Sequence, residues 1–345
     1  MNDDATDAAC PLPQEAADCV TLAHGGGGAL MQRLVREVFA AAFANDARHD
    51  GARVDTGTGS VVTTADAFVV KPLFFPGGDI GALAVHGTVN DLAMCGARPL
   101  ALTAAFVIEE GYAVDDLRRI AASMASAARA AGVAIVSGDT KVVERGHGDG
   151  IYVTTSGIGV QEHGLDIHPR AIVTGDAVIL SGDIGRHGTA VMAAREGLAT
   201  TTPILSDQQN LWPAVQALLA AGIELHCLRD LTRGGLATAL VELARDGGWG
   251  IAVDETAIAI QPAIAALCEL FGLDPLYVAN EGRFVAVVPN AQAEAALAVL
   301  RGFDAAANLL GQVSDARDGR VRLRTRYGTT RHVALLSGAQ LPRIC

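Results

Sequence analysis

The stretch Leu73–Asp91, LFFPGGDIGALAVHGTVND, settles the local architecture of the first half of the chain. Pro76-Gly77-Gly78-Asp79 is turn chemistry ending in a helix-capping residue, and Ile80, Leu83, Ala84 and Leu92 then recur on roughly one helical face. Upstream, Val61-Val62-Thr63-Thr64 and Ala67-Phe68-Val69-Val70 read as strand, with Asp66 among them. Downstream come a strand over Leu100–Ile108 and a helix over Asp115–Ala131, with Leu117, Ile120, Ala121 and Met124 at helical spacing. Val133–Val136 is a strand ending in Ser137-Gly138-Asp139-Thr140-Lys141, and Ile151–Val160 alternates as another. Strands mixed with helices in this way predict an α+β domain.

A break with Gly164 and Pro169 separates this half from a second one, which starts with Ala177–Ser181 and Gly182-Asp183-Ile184-Gly185. Helices are expected near 188–196, 209–221, 234–246 and 261–271, and strands near 283–289, 307–313 and 319–324. Both halves place Ser-Gly-Asp after a strand, at 137–139 and 181–183, a faint internal echo. The expected organisation is an extension with a Gly-rich loop over 1–47, one α+β domain over 48–162, a second over 172–324, and a mobile tail over 325–345. In the extension, His24 precedes four glycines, Gly25–Gly28, and a helix is expected over Met31–Ala44. The glycines could close over a phosphate or form a flexible joint.

At 345 residues the chain suits two domains better than one core. Half the residues are hydrophobic, 39 are Gly and only 4% are aromatic, which fits an α/β-rich interior with tight turns. A net charge of −12 gives no electrostatic footprint for nucleic acid or an anionic membrane. Every apolar run is broken before membrane-spanning length, and Met1-Asn2-Asp3-Asp4 lacks the basic start of a signal peptide. The expectation is a cytoplasmic protein. Cys10, Cys19, Cys95, Cys227 and Cys268 form no metal-ligand spacing.

The sixth cysteine is the last residue, Cys345, closing Leu341-Pro342-Arg343-Ile344-Cys345. A chain end is where ordering is weakest and reach is greatest. Twenty extended residues span up to about 70 Å, so this thiol can reach either domain. A free thiol with pKa near ~8.5 is a poor resting nucleophile at neutral pH. It is nevertheless a good handle for carrying a group.

Four aspartates stand at element ends beside small or polar residues: Asp66, Asp91, Asp139 and Asp230. Each alone reads as a cap or turn former. Converging, they would suit Mg²⁺, which takes oxygen ligands and is commonly shared with phosphates. Gly77, Gly78, Gly81 and Gly138 beside them would permit close backbone approach to an anion. No GxxxxGK[ST] loop and no strand–GxGxxG–helix is present. Lys141, and Glu281 inside Ala279-Asn280-Glu281-Gly282-Arg283, could make proton transfers or a surface ion pair. His187 in Gly185-Arg186-His187-Gly188 is equally ambiguous.

Taken together, LFFPGGDIGALAVHGTVND (73–91), SGDTKVV (137–143), RDLTRGGL (229–236), VANEG (278–282) and the terminal PRIC (342–345) resemble one family. It is the HypE carbamoyl dehydratases of hydrogenase maturation, within the AIR-synthetase (PurM-like) ATP-binding superfamily. The resemblance runs from about residue 24 to the end. It implies a two-domain PurM-like fold dimerising through the first sheet, with ATP and Mg²⁺ near that interface. It further implies that Cys345 accepts a carbamoyl group from a HypF-type carbamoyltransferase and that ATP-dependent dehydration turns it into thiocyanate. Cyanide would pass to iron on a HypC–HypD complex for [NiFe]-hydrogenase. On the same basis Asp66, Asp91 and Asp139 match metal–nucleotide positions, Asp230, Gly77 and Gly78 nucleotide positions, and Lys141 and Glu281 the residues that orient and deprotonate the thiocarboxamide. Arg186 stands where the family usually has an acidic residue, and Cys95 where a small residue such as Ser is common. A selenophosphate synthetase would place its reactive residue near Cys10 or Cys19, in a different motif. A pure thiol carrier would use Cys345 without consuming ATP.

Overall fold

The computed structural model describes residues 20–43, 48–57, 60–198, 203–336, 341 and 343–345. Cys10, Cys19 and Pro342 lie outside them. The chain enters through α1 (Ala29–Leu34), which continues, more loosely wound, through Val35–Ala40 into α2 (Ala41–Phe43). Next come β1 (Ala52–Asp55) and β2 (Ser60–Phe68), then a small hairpin of β3 (Phe74–Phe75) and β4 (Gly78–Asp79). Asp79 caps α3 (Ile80–Met94) by accepting from the N–H groups of Gly81 and Ala82. Its other oxygen accepts from Ser123 Oγ. Twelve of the fifteen residues of α3 are buried, so the helix is covered all round and not only on the expected face.

β5 (Arg98–Glu109), α4 (Val114–Ala131), β6 (Ala134–Val143) and β7 (Ile151–Val160) complete a sheet in the order β1-β2-β7-β5-β6. Only the β5–β6 pair is parallel. α3 and α4 cover one face, around Leu83, Val89, Leu102, Ile120 and Val153. The other face, with Val107 and Ile158, is exposed. Ser137–Lys141, expected to end the strand, lies inside β6 instead. Parallel pairing with β5 runs on to Glu109 and Val143, and a Cβ at Gly138 would fall 2.1 Å from Ala104 O.

The second sheet is built from β8 (Ala177–Leu180), β9 (Cys227–Asp230), β10 (Ile251–Asp254), β11 (Phe284–Val288), β12 (Asn308–Val313), β13 (Val321–Arg324) and β14 (Thr330–Val333), in the order β14-β13-β10-β12-β8-β11-β9. Its helices are α5 (Arg186–Arg195), α6 (Trp212–Ala220), α7 (Gly235–Gly247), α8 (Pro262–Phe271) and α9 (Ala293–Arg301). α7 packs on one face with Leu236, Leu240 and Val285. α6 and α9 pack on the other with Leu218, Leu297 and Phe284. β9, β10, β14 and α9 were not expected, and β14 places part of the supposed tail in a sheet. β9 is buried along its length and shows no alternation, while β10 and the mostly exposed β14 are four residues each, too short for a period to register.

Candidate active site

Where the two sheets meet, a cavity of about 810 Å³ is lined by acidic residues from several separate segments of the chain. β2 contributes Asp66 and α3 contributes Asp91. β9 ends in Asp230, and the segment before β11 carries Glu281. Asp50, which the sequence reading did not single out, joins them from the chain before β1.

Two asparagines hold these segments together. Asn90 Nδ2 donates to Gln209 O and Glu281 O, while its Oδ1 accepts from Leu211 N. Asn280 Nδ2 donates to Leu231 O and Val278 O, and its Oδ1 accepts from Gly185 N. Each asparagine thus aims the acid that follows it. After Asp230 the backbone turns through Gly234 (φ +77°) and Gly235 (φ +60°), and a Cβ on Gly235 would come within 2.6 Å of Val278 O.

Burial pushes the carboxyls of Asp50, Asp66, Asp91, Asp230 and Glu281 upward, and for most of them neighbouring acids add to it. Asp230 is raised to about 6 by desolvation, with the charge of Asp66 adding to it. Thr64 Oγ1 donates to Asp91 Oδ2 at 2.6 Å. Glu281 is only 3% exposed, and its Oε1, like Asp50 Oδ2, has no hydrogen-bond partner among the described residues. Clustered acids held above their usual range favour binding a cation. Still, no three of the described acids or histidines converge tightly enough to hold a metal unaided. Such a cation would complete its shell with phosphate and water oxygens, as Mg²⁺ does.

The cavity also reaches Cys345, which is 8% exposed and docked. Cys345 O accepts from Val69 N at 3.1 Å, and Arg343 O accepts from Lys71 N at 3.2 Å. Ile344 is buried, and its carbonyl is 2.9 Å from His187 Nε2. His187 Nδ1 lies 2.8 Å from Ser206 Oγ. The loop around His187 therefore clasps the tail. Arg186 pairs with Asp183 at 3.2 Å, away from that clasp. Arg343 pairs with Asp149, and Arg195 donates to Arg343 O. Burial, with Glu281 and Asp66 nearby, pushes the Cys345 thiol up to about 12 despite Arg233, whose Nη1 is 3.9 Å from the sulfur.

Asp139 and Lys141 are elsewhere. They pair with each other at 2.7 Å on exposed β6, their side chains 63% and 70% exposed, and neither lines the cavity. Their burial on the sheet's uncovered face would need another molecule. Gly77 and Gly78 also stand outside the cavity lining. Cβ atoms there would fall 2.6 Å from Ser206 N and 2.2 Å from the Gln208 side chain. Close packing on the 203–211 segment is what their lack of a side chain permits here. In the N-terminal glycine run, a Cβ at Gly27 would come 2.7 Å from Arg233 Cβ, and one at Gly28 2.3 Å from Leu336 O.

Comparison with known proteins agrees with this architecture. Residues 48–161 match the AIR synthase related protein N-terminal domain and 173–324 its C-terminal domain. The carbamoyl dehydratase HypE of Azotobacter vinelandii is 50% identical, over 94% of this chain and 97% of its own. The crystal structure of a HypE–HypF complex contains a chain 47% identical with a TM-score of 0.83, covering 88% of this chain and 99% of that one. HypE in complex with ATP is 43% identical with a TM-score of 0.81, covering 94% of this chain and all of that one. The chain belongs to the carbamoyl dehydratase HypE family of AIR synthase related proteins.

Proposed function

We propose that the chain dehydrates a carbamoyl group carried on Cys345 to thiocyanate at the expense of ATP, supplying the cyanide ligand for the iron of [NiFe]-hydrogenase. The observation that carries this reading is the terminal thiol docked against the acidic cavity, in a family whose relatives are carbamoyl dehydratases. An amide oxygen is a poor leaving group. In the first step it attacks the terminal phosphorus of ATP, ADP departs, and one N–H proton is lost. The C–O bond of the resulting O-phosphorylated intermediate then breaks, phosphate leaves with the electron pair, and loss of the second N–H proton leaves S–C≡N.

Glu281 is the base suited to those protons. It lines the same cavity as Cys345, and a carboxyl raised by burial accepts a proton more readily than an exposed one. Asp66, Asp91 and Asp230 would hold Mg²⁺ together with the phosphates, and the metal would neutralise phosphate charge. Asp139 and Lys141 enter through a homodimer that pairs the exposed faces of the two first sheets. The exposed Val107 and Ile158, on the same face as Asp139 and Lys141, support such a contact.

The solved complex of a HypE with HypF supports a HypF-type carbamoyltransferase as donor, and a HypC–HypD complex would receive the cyanide. The raised thiol pKa favours loading away from the site, because a buried neutral thiol is a weak nucleophile. We place the protein in the cytoplasm; among the described residues no helix is long and apolar enough to cross a membrane. The test is single turnover of carbamoylated protein. One ATP should be consumed for each carbamoyl group that loses a water, as read by mass. Water loss without ATP, or ATP consumption without water loss, would overturn this reading.

A further inference from the structure

Two arginines from one motif line the cavity, and they are bonded differently. Arg229 is committed to two carboxylates, Asp50 at 2.7 Å and Glu242. Arg233 makes no ion-pair contact with the described carboxylates. Cys345 first, and then the acids Asp66, Glu281 and Asp91, raise its pKa against the cost of burial and keep it cationic. Its hydrogen bond is to Cys345 Sγ, through Nη1 at 3.9 Å. A guanidinium is a strong donor, and a neutral thiol is one of the weakest acceptors available to it. The arrangement becomes well matched when the sulfur carries a carbamoyl group, whose oxygen is two bonds beyond Sγ.

The backbone fixes this aim. Gly27 packs directly on Arg233, where a Cβ would come 2.8 Å from its carbonyl oxygen, and Gly234 and Gly235 leave it in left-handed conformations. Resting on the dehydratase reading above, we propose that Arg233 is a catalytic residue. Its guanidinium takes the oxygen of the carbamoyl group on Cys345, holds it through phosphoryl transfer, and stabilises the phosphate as the C–O bond breaks. No proton leaves Arg233; the N–H protons go to base and the electron pair to phosphate.

The test compares carbamoylated wild-type, Arg233→Ala and Arg233→Lys proteins in single turnover at saturating ATP, following water loss by mass. Removal of one preorganised donor to a developing oxyanion costs roughly 10²–10³-fold in rate. Arg233→Ala should slow by that factor and recover in part when guanidinium ion is added below denaturing concentration. Arg233→Lys should fall between, and should carry the comparison alone if Arg233→Ala does not fold. A wild-type rate in Arg233→Ala, a defect removed by more ATP, or slow variants that neither guanidinium nor lysine improves would each overturn the assignment. Failure of the wild-type protein to lose water would instead remove the dehydratase reading, and Arg233's role with it.

Discussion

At the residue scale, the acids differ in task because their surroundings differ. Glu281 is buried with an oxygen lacking a partner, and its neighbours Asp230, Asp207 and Asp66 add to the cost of ionising it. General-base removal typically costs about 10²–10⁴-fold. Glu281→Gln should therefore accept the carbamoyl group and bind ATP but stall before thiocyanate, as followed by mass in single turnover. A wild-type rate would leave Glu281 a structural carboxyl. Since the base acts ionised and its pKa is raised, dehydration should increase with pH through a value above the ordinary carboxylate range, and Glu281→Gln should lose that limb. Asp91 is expected to act on the nucleotide. Asp91→Ala should weaken Mg²⁺-dependent ATP binding at least tenfold, about 1.4 kcal/mol by calorimetry; unchanged affinity contradicts its placement there. Asp91, Asp230, Glu281 and Cys345 could be picked from the sequence because each stands in a short, compact motif, and Asp66 because it interrupts a strand-like run. The contact of Arg233 with Cys345 could not, since it exists only once the tail folds back.

At the scale of elements, the tail decides whether chemistry can begin. Ordering a residue costs roughly 1–2 kcal/mol in backbone entropy. Each hydrogen bond made by Val69, Lys71 and His187 to the tail returns about 1 kcal/mol, and burying Ile344 about 1.5–3. The exposed part of the Arg343–Asp149 pair adds little. Docking thus stands on a small margin, which suits a segment that must also leave. His187→Ala should loosen it and raise the rate of Cys345 alkylation several-fold; an unchanged rate would show that the clasp is idle. The docked thiol holds its proton up to about 12 against an ordinary value of 9.0. Proton loss therefore favours the undocked tail, and docking should weaken as pH rises from about 9 toward 12. Periodicity revealed most of the longer helices, but it took the middle of β6 for the end of a strand. An exposed edge strand with Gly, Asp and Lys in its middle lacks the alternation that marks a half-buried one.

For the whole molecule, the uncovered face of the first sheet is the outstanding feature. If two chains pair through it, Val107→Glu with Ile158→Glu should give monomers by light scattering and abolish dehydration. Mixed dimers of a Lys141→Ala chain with a Glu281→Gln chain should recover activity that neither has alone, because one of their two sites is intact. No recovery would mean that Lys141 does not act across an interface. The crowded acids predict a linked effect on stability. Asp230 binds its proton up to about 6 in the folded protein and to 3.8 ordinarily, so repulsion is greatest above 6 and is relieved as pH falls through it. Mg²⁺ should accordingly raise the melting temperature more above pH 6 than below it. Equal shifts at both would place the metal away from Asp230.

That Cys345 is the sole carrier is tested most directly by mapping the modification. Wild-type and Cys345→Ala proteins are incubated with the carbamoyl donor system, with and without ATP, and their peptides are weighed. The wild-type terminal peptide should gain a carbamoyl group and, once ATP is present, lose one water from it. Cys345→Ala should fold and remain unmodified throughout. A carbamoyl group found on Cys95, Cys227, Cys268 or any other residue of Cys345→Ala would contradict the assignment of the carrier to the chain end.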